Sequence, residues 1–438
     1  MLSEHPQRTP RTFRTTTLSN GLRVVVAPQP QLSRAHVALY VRVGSRFETP
    51  STNGLSHFLE HMLYRGTPSR KTAHEVNHAF ESLGGYLYAA TLTDFGVFSV
   101  TLPSESIGSA SRLFGEVLAQ PMFNDIEIEK GIVCEEILED LDDDGRQVDA
   151  DNLSRALIYP THPLGYTITG DEKRVRSFDR PMLRAHHARH YNAANSVLAF
   201  SGAVTHAEAL ALAERCFSGL PKGEPVKSDA PTHSQKKPRL KVVENVSSQT
   251  ELRVCFRAVP EASEHRPAMD MLMRILDDGM STRLYHRICD SKGLCYDVGA
   301  SFDGYEDDGV LDFMAGVQHA RTSVVTREIL ELLCDLATKG PTEAELDKAK
   351  RRNAWEIRTV FDSPEELAGF YAGGLLFDRF ETPEARLAAN SEVTTKDLRE
   401  IAQLLAQPDR LNVLAVGLLD DGEDERLEGV VKGWKGPR

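Results

Sequence analysis

The sequence predicts an α+β protein built from two similar domains, and three observations support this fold class. The chain has 438 residues. Because a single hydrophobic core rarely organises a chain of this length, two or more domains are expected. Segments with strand-like alternation and segments with the repeat of amphipathic helices occur in both halves. The second half also repeats the order in which these segments occur in the first, which indicates a duplicated domain.

The first half supplies most of the recognisable segments. Strand-like runs are expected at residues 22–27, 36–43, 86–101 and 196–204. Amphipathic helices are expected at residues 54–63, 72–83, 105–119 and 182–191, and from 125 into the acidic run at 139–144. A stretch rich in Pro, Lys, Ser and Gly then indicates a linker. We therefore expect a first domain at residues 1–222, a linker at 223–238 and a second domain at 239–438.

The composition excludes several classes of function. A net charge of −13 without a basic block argues against nucleic acid as a partner. The six cysteines are scattered without a Cys-x-x-Cys pair, which favours a reducing compartment. The sequence contains no apolar run of about eighteen residues that would span a membrane, and its polar start does not resemble a signal peptide. A cytoplasmic protein without a membrane partner is therefore expected.

Residues 54–63, Gly-Leu-Ser-His-Phe-Leu-Glu-His-Met-Leu, carry the strongest chemical signal. On a helix their apolar side chains form one stripe, and His57, Glu60 and His61 lie together on the opposite side. Two imidazoles and a carboxylate on one helical face are the arrangement of two zinc ligands beside a general base, in the inverted order His-x-x-Glu-His. The alternative is an amphipathic helix whose polar face happens to be rich in histidine.

The second half echoes this segment without its chemistry. Gly279-Met280-Ser281 repeats the pattern of Gly54-Leu55-Ser56, and the elements before and after it follow the same order as in the first half. Thr282 and Tyr285 stand where the first half has its leading histidine and its glutamate. The second domain is therefore expected to bind no metal.

A hydrolytic zinc site needs three protein ligands and one open position for water, so a third ligand must come from elsewhere in the chain. Glu135-Glu136 lies in a later segment with helical character. With Ile132, Val133 and Ile137 interpreted as buried positions, Glu136 lies close to the Ile132 direction and can point toward the motif helix. Glu129 lies on nearly the same face, where it can orient a ligand or water. The alternative for each of these glutamates is a solvated helix face.

Two other histidine pairs give weaker signals. His74-Glu75-Val76-Asn77-His78 matches the zinc-protease pattern His-Glu-x-x-His. Glu81 is too close to serve as its third ligand, and no other acid stands on a well-placed following helix. His186 and His190 lie one turn apart and are interpreted as part of a solvated helix face.

Together these features resemble the insulinase or pitrilysin type of zinc peptidase, in particular its short two-domain members such as bacterial processing proteases and the mitochondrial processing peptidase. The resemblance covers nearly the whole chain. The residues that carry it are 54–62, Leu83-Gly84-Gly85, 129–136, His162-Pro163-Leu164-Gly165, Gly170, Arg176-Ser177-Phe178, His190-Tyr191, Gly279-Met280-Ser281 with Arg283-Leu284, and Gly293-Leu294-Cys295-Tyr296.

The resemblance implies a fold and a set of residue roles. The implied fold is two homologous α/β domains of mixed, largely antiparallel sheet with packed helices, facing each other as a clamshell around a closed chamber. One Zn²⁺ per chain is expected, with His57, His61 and Glu136 as its ligands. The implied catalytic residues are Glu60 as base, Glu129 as supporting carboxylate and Tyr296 as the tyrosine that the second domain offers to the scissile region.

The expected function is a zinc endopeptidase that cleaves unstructured peptides or presequence-like segments inside the chamber. The peptide is expected to add a strand along the edge that contains Tyr88, Ala89 and Thr91. Ala89 and Thr91 match the family pattern, whereas Tyr88 stands where the family usually has Asn. Expected partners are peptide substrates and a second subunit, either an identical chain or a homologue.

A second departure from the family concerns substrate contacts in the second half. Cys289 stands seven residues before Tyr296, where the family often has Arg. Lys292 or Arg287 is expected to compensate, and Lys292 is a candidate substrate contact. Both departures affect substrate grip rather than metal binding.

Two alternatives from other functional classes stay open. The first is a non-catalytic family member that acts as a scaffold or partner subunit of a peptidase complex. The second is a peptide-binding or chaperone-like chamber with vestigial turnover. The intact set of two histidines and two glutamates argues against the scaffold.

Overall fold

The computed structural model describes residues 13–437. The strands are β1 (Arg14–Thr17), β2 (Arg23–Pro28), β3 (Arg34–Val41), β4 (Tyr86–Thr91), β5 (Gly96–Pro103), β6 (Ser196–Gly202), β7 (Arg239–Val243), β8 (Thr250–Ala258), β9 (Cys295–Gly304), β10 (Gly309–Val317) and β11 (Leu411–Val416). The helices are α1 (Leu55–Leu63), α2 (Ala73–Glu81), α3 (Ile107–Ala119), α4 (Ile126–Leu138), α5 (Ala150–Ile158), α6 (Glu172–Ser177), α7 (Arg180–His190), α8 (His206–Phe217), α9 (Arg266–Leu276), α10 (Arg283–Tyr285), α11 (Thr322–Lys339), α12 (Glu343–Thr359), α13 (Pro364–Leu376), α14 (Pro383–Ser391), α15 (Thr395–Leu405) and α16 (Glu423–Gly433).

These elements group into two compact units, and each unit takes one segment from the opposite half of the chain. Among the described residues, the first unit contains 13–137, 167–228 and 358–382, and the second contains the rest. Helix α13 therefore belongs to the first unit and α5 to the second. The division into the continuous domains 1–222 and 239–438 stays a prediction. The contacts within the chain group residues 138–166 with the second unit and residues 358–382 with the first.

The two sheets share one topology, which supports the predicted duplication. The first sheet has the order β1-β2-β6-β3-β5-β4 and the second has the order β7-β11-β8-β10-β9. Each contains one parallel pair, β2 with β6 and β7 with β11, and its other neighbours are antiparallel. Without β1, the strands correspond one to one, and β4 and β9 are the equivalent edges. The α+β, two-domain, largely antiparallel fold is confirmed.

Each sheet is covered by helices on both faces, which explains its continuous apolar strands. In the first unit, α13 packs on one face against β2, β3 and β6, and α3 and α8 pack on the other. Every residue of β6 is buried, as expected for a strand covered on both sides. In the second unit, α5 contacts β8 and β11, while α11 and α15 contact β8. Within residues 13–437, no helix combines the length and apolarity needed to cross a bilayer.

Acid is expected to destabilise the first unit through His36 in β3. This side chain is 2% exposed, and its Nδ1 lies 2.8 Å from Thr101 Oγ1. Burial lowers the pKa of His36 to about 4, whereas an unfolded histidine titrates near about 6.5. Between these values only the unfolded chain takes up the proton, so folding stability falls as the pH drops through this window.

The expected loss between pH 7 and pH 4.5 is about 2 kcal/mol from His36 alone. Urea denaturation at the two pH values measures it. In His36→Gln the difference in unfolding free energy between the two pH values should shrink by that amount. The same difference in variant and wild type would contradict this assignment.

Candidate metal centre

Helix α1 presents its two histidines as the sequence predicts. Its apolar stripe packs into the first unit, with no member more than 2% exposed: Leu55, Phe58, Leu59, Met62 and Leu63. The helix contacts α7 and the edge strand β4. The opposite face of the helix contains His57, Glu60 and His61, which are the side chains able to bind a metal or transfer a proton.

His57 and His61 converge with Glu136 of α4. The Nε2 atoms of the two histidines are 3.3 Å apart. Glu136 Oε1 lies 3.4 Å from His57 Nε2, and Glu136 Oε2 lies 3.7 Å from His61 Nε2. In a tetrahedral site with bonds of about 2.0–2.1 Å, neighbouring ligand atoms are about 3.3–3.4 Å apart. Among residues 13–437, no other group of three or more His, Cys, Asp or Glu side chains brings its donor atoms this close together. Two imidazoles and one carboxylate are a ligand set that fits zinc.

The two histidines differ in their electrostatic surroundings. Burial lowers the pKa of His57 to about 3, and the neighbouring His61 acts in the same direction. Burial also lowers the pKa of His61, but hydrogen bonding and charge from Glu129 and the charges of Glu60 and Glu136 outweigh it, so that pKa is raised. His57 is therefore a neutral imidazole, and three carboxylates around His61 favour positive charge at this position.

Glu129 orients His61 from the side away from the other ligands. His61 Nδ1 lies 2.8 Å from Glu129 Oε1, and Arg65 donates to Glu129 Oε2. Burial alone would raise the pKa of Glu129, but the hydrogen bond with His61 and the charge of Arg65 lower it. The carboxylate therefore accepts a hydrogen bond from Nδ1 of His61 and holds the ring with Nε2 facing His57 and Glu136. Sequence reasoning missed Arg65, which lies beyond Leu63, the last residue of α1, so that a helical spacing from His61 does not identify it.

Replacement of Glu129 by glutamine is expected to weaken zinc binding about 10- to 100-fold. The amide has only one oxygen, whereas the carboxylate uses one oxygen for His61 and the other for Arg65. One of these two hydrogen bonds is therefore lost, and the imidazole is less firmly oriented. Competition with a chromophoric chelator measures the affinity. Glu127→Gln is the control, because Glu127 lies on the same helix with its side chain 84% exposed and pairs with Lys130. Equal affinities in the two variants would show that Glu129 does not support His61.

Glu60 is joined to the edge strand of the first sheet. Thr91 Oγ1 donates a hydrogen bond to Glu60 Oε2, and Thr91 is the last residue of β4. Burial raises the pKa of Glu60, while the hydrogen bond from Thr91 and the charge of His61 oppose this rise. The candidate base therefore lies beside both the ligand cluster and the strand edge predicted to bind peptide.

The other predicted residues of β4 fall on two faces. Side chains alternate along a strand, so Ala89 shares the face of Thr91, whereas Tyr88 projects from the opposite face and is 54% exposed. The replacement of the usual Asn by Tyr88 therefore changes the face of the sheet that points away from Glu60. A substrate contact by Tyr88 or Ala89 stays a prediction.

In the second unit, Tyr296 lies at the start of β9, Lys292 lies in the turn before it, and Arg287 lies in the short helical segment before that turn. Tyr296 is 93% exposed. Lys292 Nζ lies 2.6 Å from Glu328 Oε2, and Arg287 pairs with Glu328, Glu331 and Asp335 of α11. Both cations are therefore engaged within the second unit, beside Cys289. Their role toward substrate, and that of Tyr296, stays a prediction.

The second His-Glu-x-x-His pattern forms a helix start. His74 and His78 are exposed on α2, and Glu75 closes a capping box with Thr72. The Glu75 N–H donates to Thr72 Oγ1 over 3.2 Å, and the Thr72 N–H donates to Glu75 Oε2 over 3.1 Å. This glutamate therefore caps the start of α2.

Two interpretations of helix faces are wrong. His186 and His190 are buried, at 8% and 0% exposure, because α7 packs against α1. His186 Nε2 lies 3.0 Å from Ser56 Oγ, and His190 Nδ1 lies 2.9 Å from the carbonyl oxygen of Arg42. Ile132 is 46% exposed rather than buried. Helix α4 has apolar residues on several sides, and it packs through Val133 and Ile137 instead.

Comparisons with known proteins identify the family of this chain. Residues 23–172 match the family described as insulinase (peptidase family M16), and residues 177–353 match the domain described as the peptidase M16 inactive domain. A Mycobacterium bovis protein named as an uncharacterized zinc protease is 31% identical over 400 residues, which is 90% of each chain. The Bacillus subtilis protein named uncharacterized zinc protease YmxG is 30% identical over 352 residues, covering 79% of this chain and 84% of its own.

Solved structures show the same fold at lower identity. A Pseudomonas fluorescens structure described as a peptidase M16 inactive domain has a TM-score of 0.86 and 22% identity, covering 93% of this chain and 98% of its own. A protease from Helicobacter pylori also has a TM-score of 0.86, with 21% identity, 93% coverage of this chain and 100% of its own. With relatives of this identity along most of its length, the chain belongs to the insulinase-type peptidase family M16.

Proposed function

We propose that this chain is a zinc-dependent endopeptidase that cleaves unstructured peptides. The observation that carries the proposal is the spacing of the His57, His61 and Glu136 donor atoms, which matches the edges of one tetrahedral site. Glu60 lies on the same helix, three residues after His57 and directly before His61, and is partly buried. The names of the relatives as zinc proteases support the same metal and reaction.

The residues of the first unit have separate tasks in this reaction. A zinc ion held by the three ligands supplies Lewis-acid chemistry, because zinc lowers the pKa of water that it binds to about 7. Glu60 accepts the proton of the attacking water and returns it to the leaving amine. Thr91 holds Oε2 of Glu60, which leaves Oε1 for proton transfer. A raised pKa brings this carboxylate closer to the range in which a general base works best at neutral pH.

The proposed substrate is an extended peptide that pairs with β4. In the part of the chain that the structure describes, β4 is an edge strand of the first sheet. An edge strand offers unpaired backbone donors and acceptors, which can bind a peptide of any sequence. Because Thr91 of the same strand contacts Glu60, a peptide along this edge would run beside the base. A folded segment cannot pair in this way, so unstructured peptides are the proposed substrate class.

The proposal includes a partner and a compartment. A dimer with an identical or homologous chain is proposed from the family resemblance, and a reducing cytoplasmic location from the cysteines. All six cysteines are free thiols, which agrees with a reducing compartment. Co-purification from the native cell identifies the second subunit.

Zinc analysis combined with a cleavage assay tests the proposal. The purified chain, alone and mixed with a homologous subunit, should contain about one zinc per chain and cleave a quenched unstructured peptide. A chelator should abolish cleavage, and added zinc should restore it. A chain that holds zinc and cleaves nothing under any pairing would favour the non-catalytic scaffold. A chain that binds no zinc would contradict the proposal.

A further inference from the structure

The first turn of α1 is held by a carboxylate from outside the helix. Glu48 is 5% exposed, and its Oε1 accepts the N–H of Ser56 over 2.7 Å. Its Oε2 accepts the N–H of Gly54 over 2.8 Å and the side-chain amide of Asn53 over 3.1 Å. The first N–H groups of a helix have no partner within the helix, and the N-cap residue Gly54 has no side chain to supply one. Glu48 takes the place of that missing cap.

Two further contacts hold the same turn against the remainder of the first unit. Ser56 Oγ lies 3.0 Å from Nε2 of His186, and burial lowers the pKa of His186 well below its usual range, so this ring is neutral. Gly54 has a φ of +92°, and a Cβ at this position would lie 2.6 Å from the carbonyl oxygen of Thr169. The start of α1 therefore has little freedom to shift along or around its axis.

The location of this anchor matters because Ser56 directly precedes His57. Helix α1 has nine residues, and a change in its first turn moves His57 relative to His61 and Glu136. The donor atoms are 3.3 to 3.7 Å apart, close to the spacing that one ion requires. A carboxylate at the positive end of the helix dipole also stabilises the turn electrostatically. These contacts link Glu48 to the metal ligands through the backbone.

We propose that Glu48 is a positioning residue of the metal centre, whose carboxylate holds the first turn of α1 so that His57 reaches ligand geometry. The consequence for catalysis rests on the proposed function, whereas the consequence for metal binding rests on the ligand cluster alone. Glu48 is buried and bonded to residues at the start of α1, so we assign it an effect that acts through the helix. A cap with a purely structural role would change the stability of the chain and leave the metal site unaltered.

Glu48→Gln in the full chain tests this role. The glutamine oxygen accepts one N–H, but its amide group then faces the other N–H, so one of the two backbone hydrogen bonds is lost. Zinc affinity, measured by chelator competition, should fall about 10-fold or more. The d–d absorption bands of the Co²⁺-loaded variant should differ from those of the wild type. Any loss of peptide cleavage should appear in kcat rather than KM.

Glu116→Gln is the matched control. Glu116 also lies in the first unit and accepts a backbone N–H, that of Ser69 over 2.8 Å, together with the Ser69 hydroxyl over 2.6 Å. It belongs to α3 and not to the anchor of α1. This variant should lose stability without any change in zinc affinity or Co²⁺ spectrum.

Should Glu48→Gln fail to fold, Glu48→Asp retains the charge with a shorter reach and should show a smaller loss of zinc affinity. Wild-type zinc affinity and an unaltered Co²⁺ spectrum in a folded Glu48 variant would overturn the positioning role. A wild type that binds zinc but cleaves no peptide would contradict the proposed function alone, since the metal measurements still decide the role of Glu48. A wild type that binds neither zinc nor Co²⁺ would overturn both.

Discussion

Glu60→Gln is expected to lower kcat for peptide cleavage by about 10²- to 10⁴-fold while the chain keeps its zinc. The glutamine has nearly the same shape and can still accept the hydrogen bond from Thr91, but it cannot take a proton from water. The three donor atoms of the ligand cluster are untouched by this change. Steady-state cleavage of a quenched peptide, together with zinc analysis of the same sample, measures both effects.

The second histidine pattern supplies the matched control for this variant. Glu75→Gln makes the same chemical change between His74 and His78, and glutamine is still compatible with the capping box that Glu75 forms with Thr72. Activity and zinc content should both stay at the wild-type level. If Glu75→Gln were as impaired as Glu60→Gln, the assignment of the base to α1 would be wrong.

Glu136→Ala is expected to weaken zinc binding by more than about 100-fold. Removal of a supporting group costs about 10- to 100-fold, and Glu136 is a proposed direct ligand, so its removal should cost more. Its side chain is 40% exposed, so the substitution leaves no large cavity and the folded state should persist. Chelator competition measures the affinity, and the thermal unfolding midpoint verifies folding.

Glu135→Ala controls for the loss of a negative charge beside the metal. Glu135 is the neighbouring residue on α4, and it is exposed. It lies outside the group of converging donor atoms, so its removal should change zinc affinity only slightly. Loss of zinc in Glu135→Ala with retention in Glu136→Ala would reverse the ligand assignment.

The parts of the site that depend on local periodicity are predictable from sequence. The helix at 54–63 places its apolar stripe and its two histidines on opposite sides through spacing alone, and the structure has this arrangement. The direction of Glu136 was harder to predict, because α4 has apolar residues on several sides. Treating Ile132 as buried was wrong, yet Val133 and Ile137 are buried, and they suffice to turn Glu136 toward the histidines.

The parts that depend on distant packing are not predictable from a local pattern. His186 and His190 look like a polar helix face until α1 covers them, and then they become buried hydrogen-bonding groups. Glu48 lies before the helix in a segment without regular strand or helix periodicity, so no spacing rule connects it with Ser56. The exchange of α5 and α13 between the two halves likewise depends on which sheet face each helix covers. Only the folded chain brings these residues together.

Anomalous diffraction at the zinc absorption edge, from crystals of the zinc-loaded chain, tests the metal assignment most directly. We expect one strong peak in the first unit, bonded to Nε2 of His57, Nε2 of His61 and the carboxylate of Glu136 at about 2.0–2.2 Å. A peak at His74 and His78 instead, or none between α1 and α4, would contradict the account of this protein as a zinc peptidase.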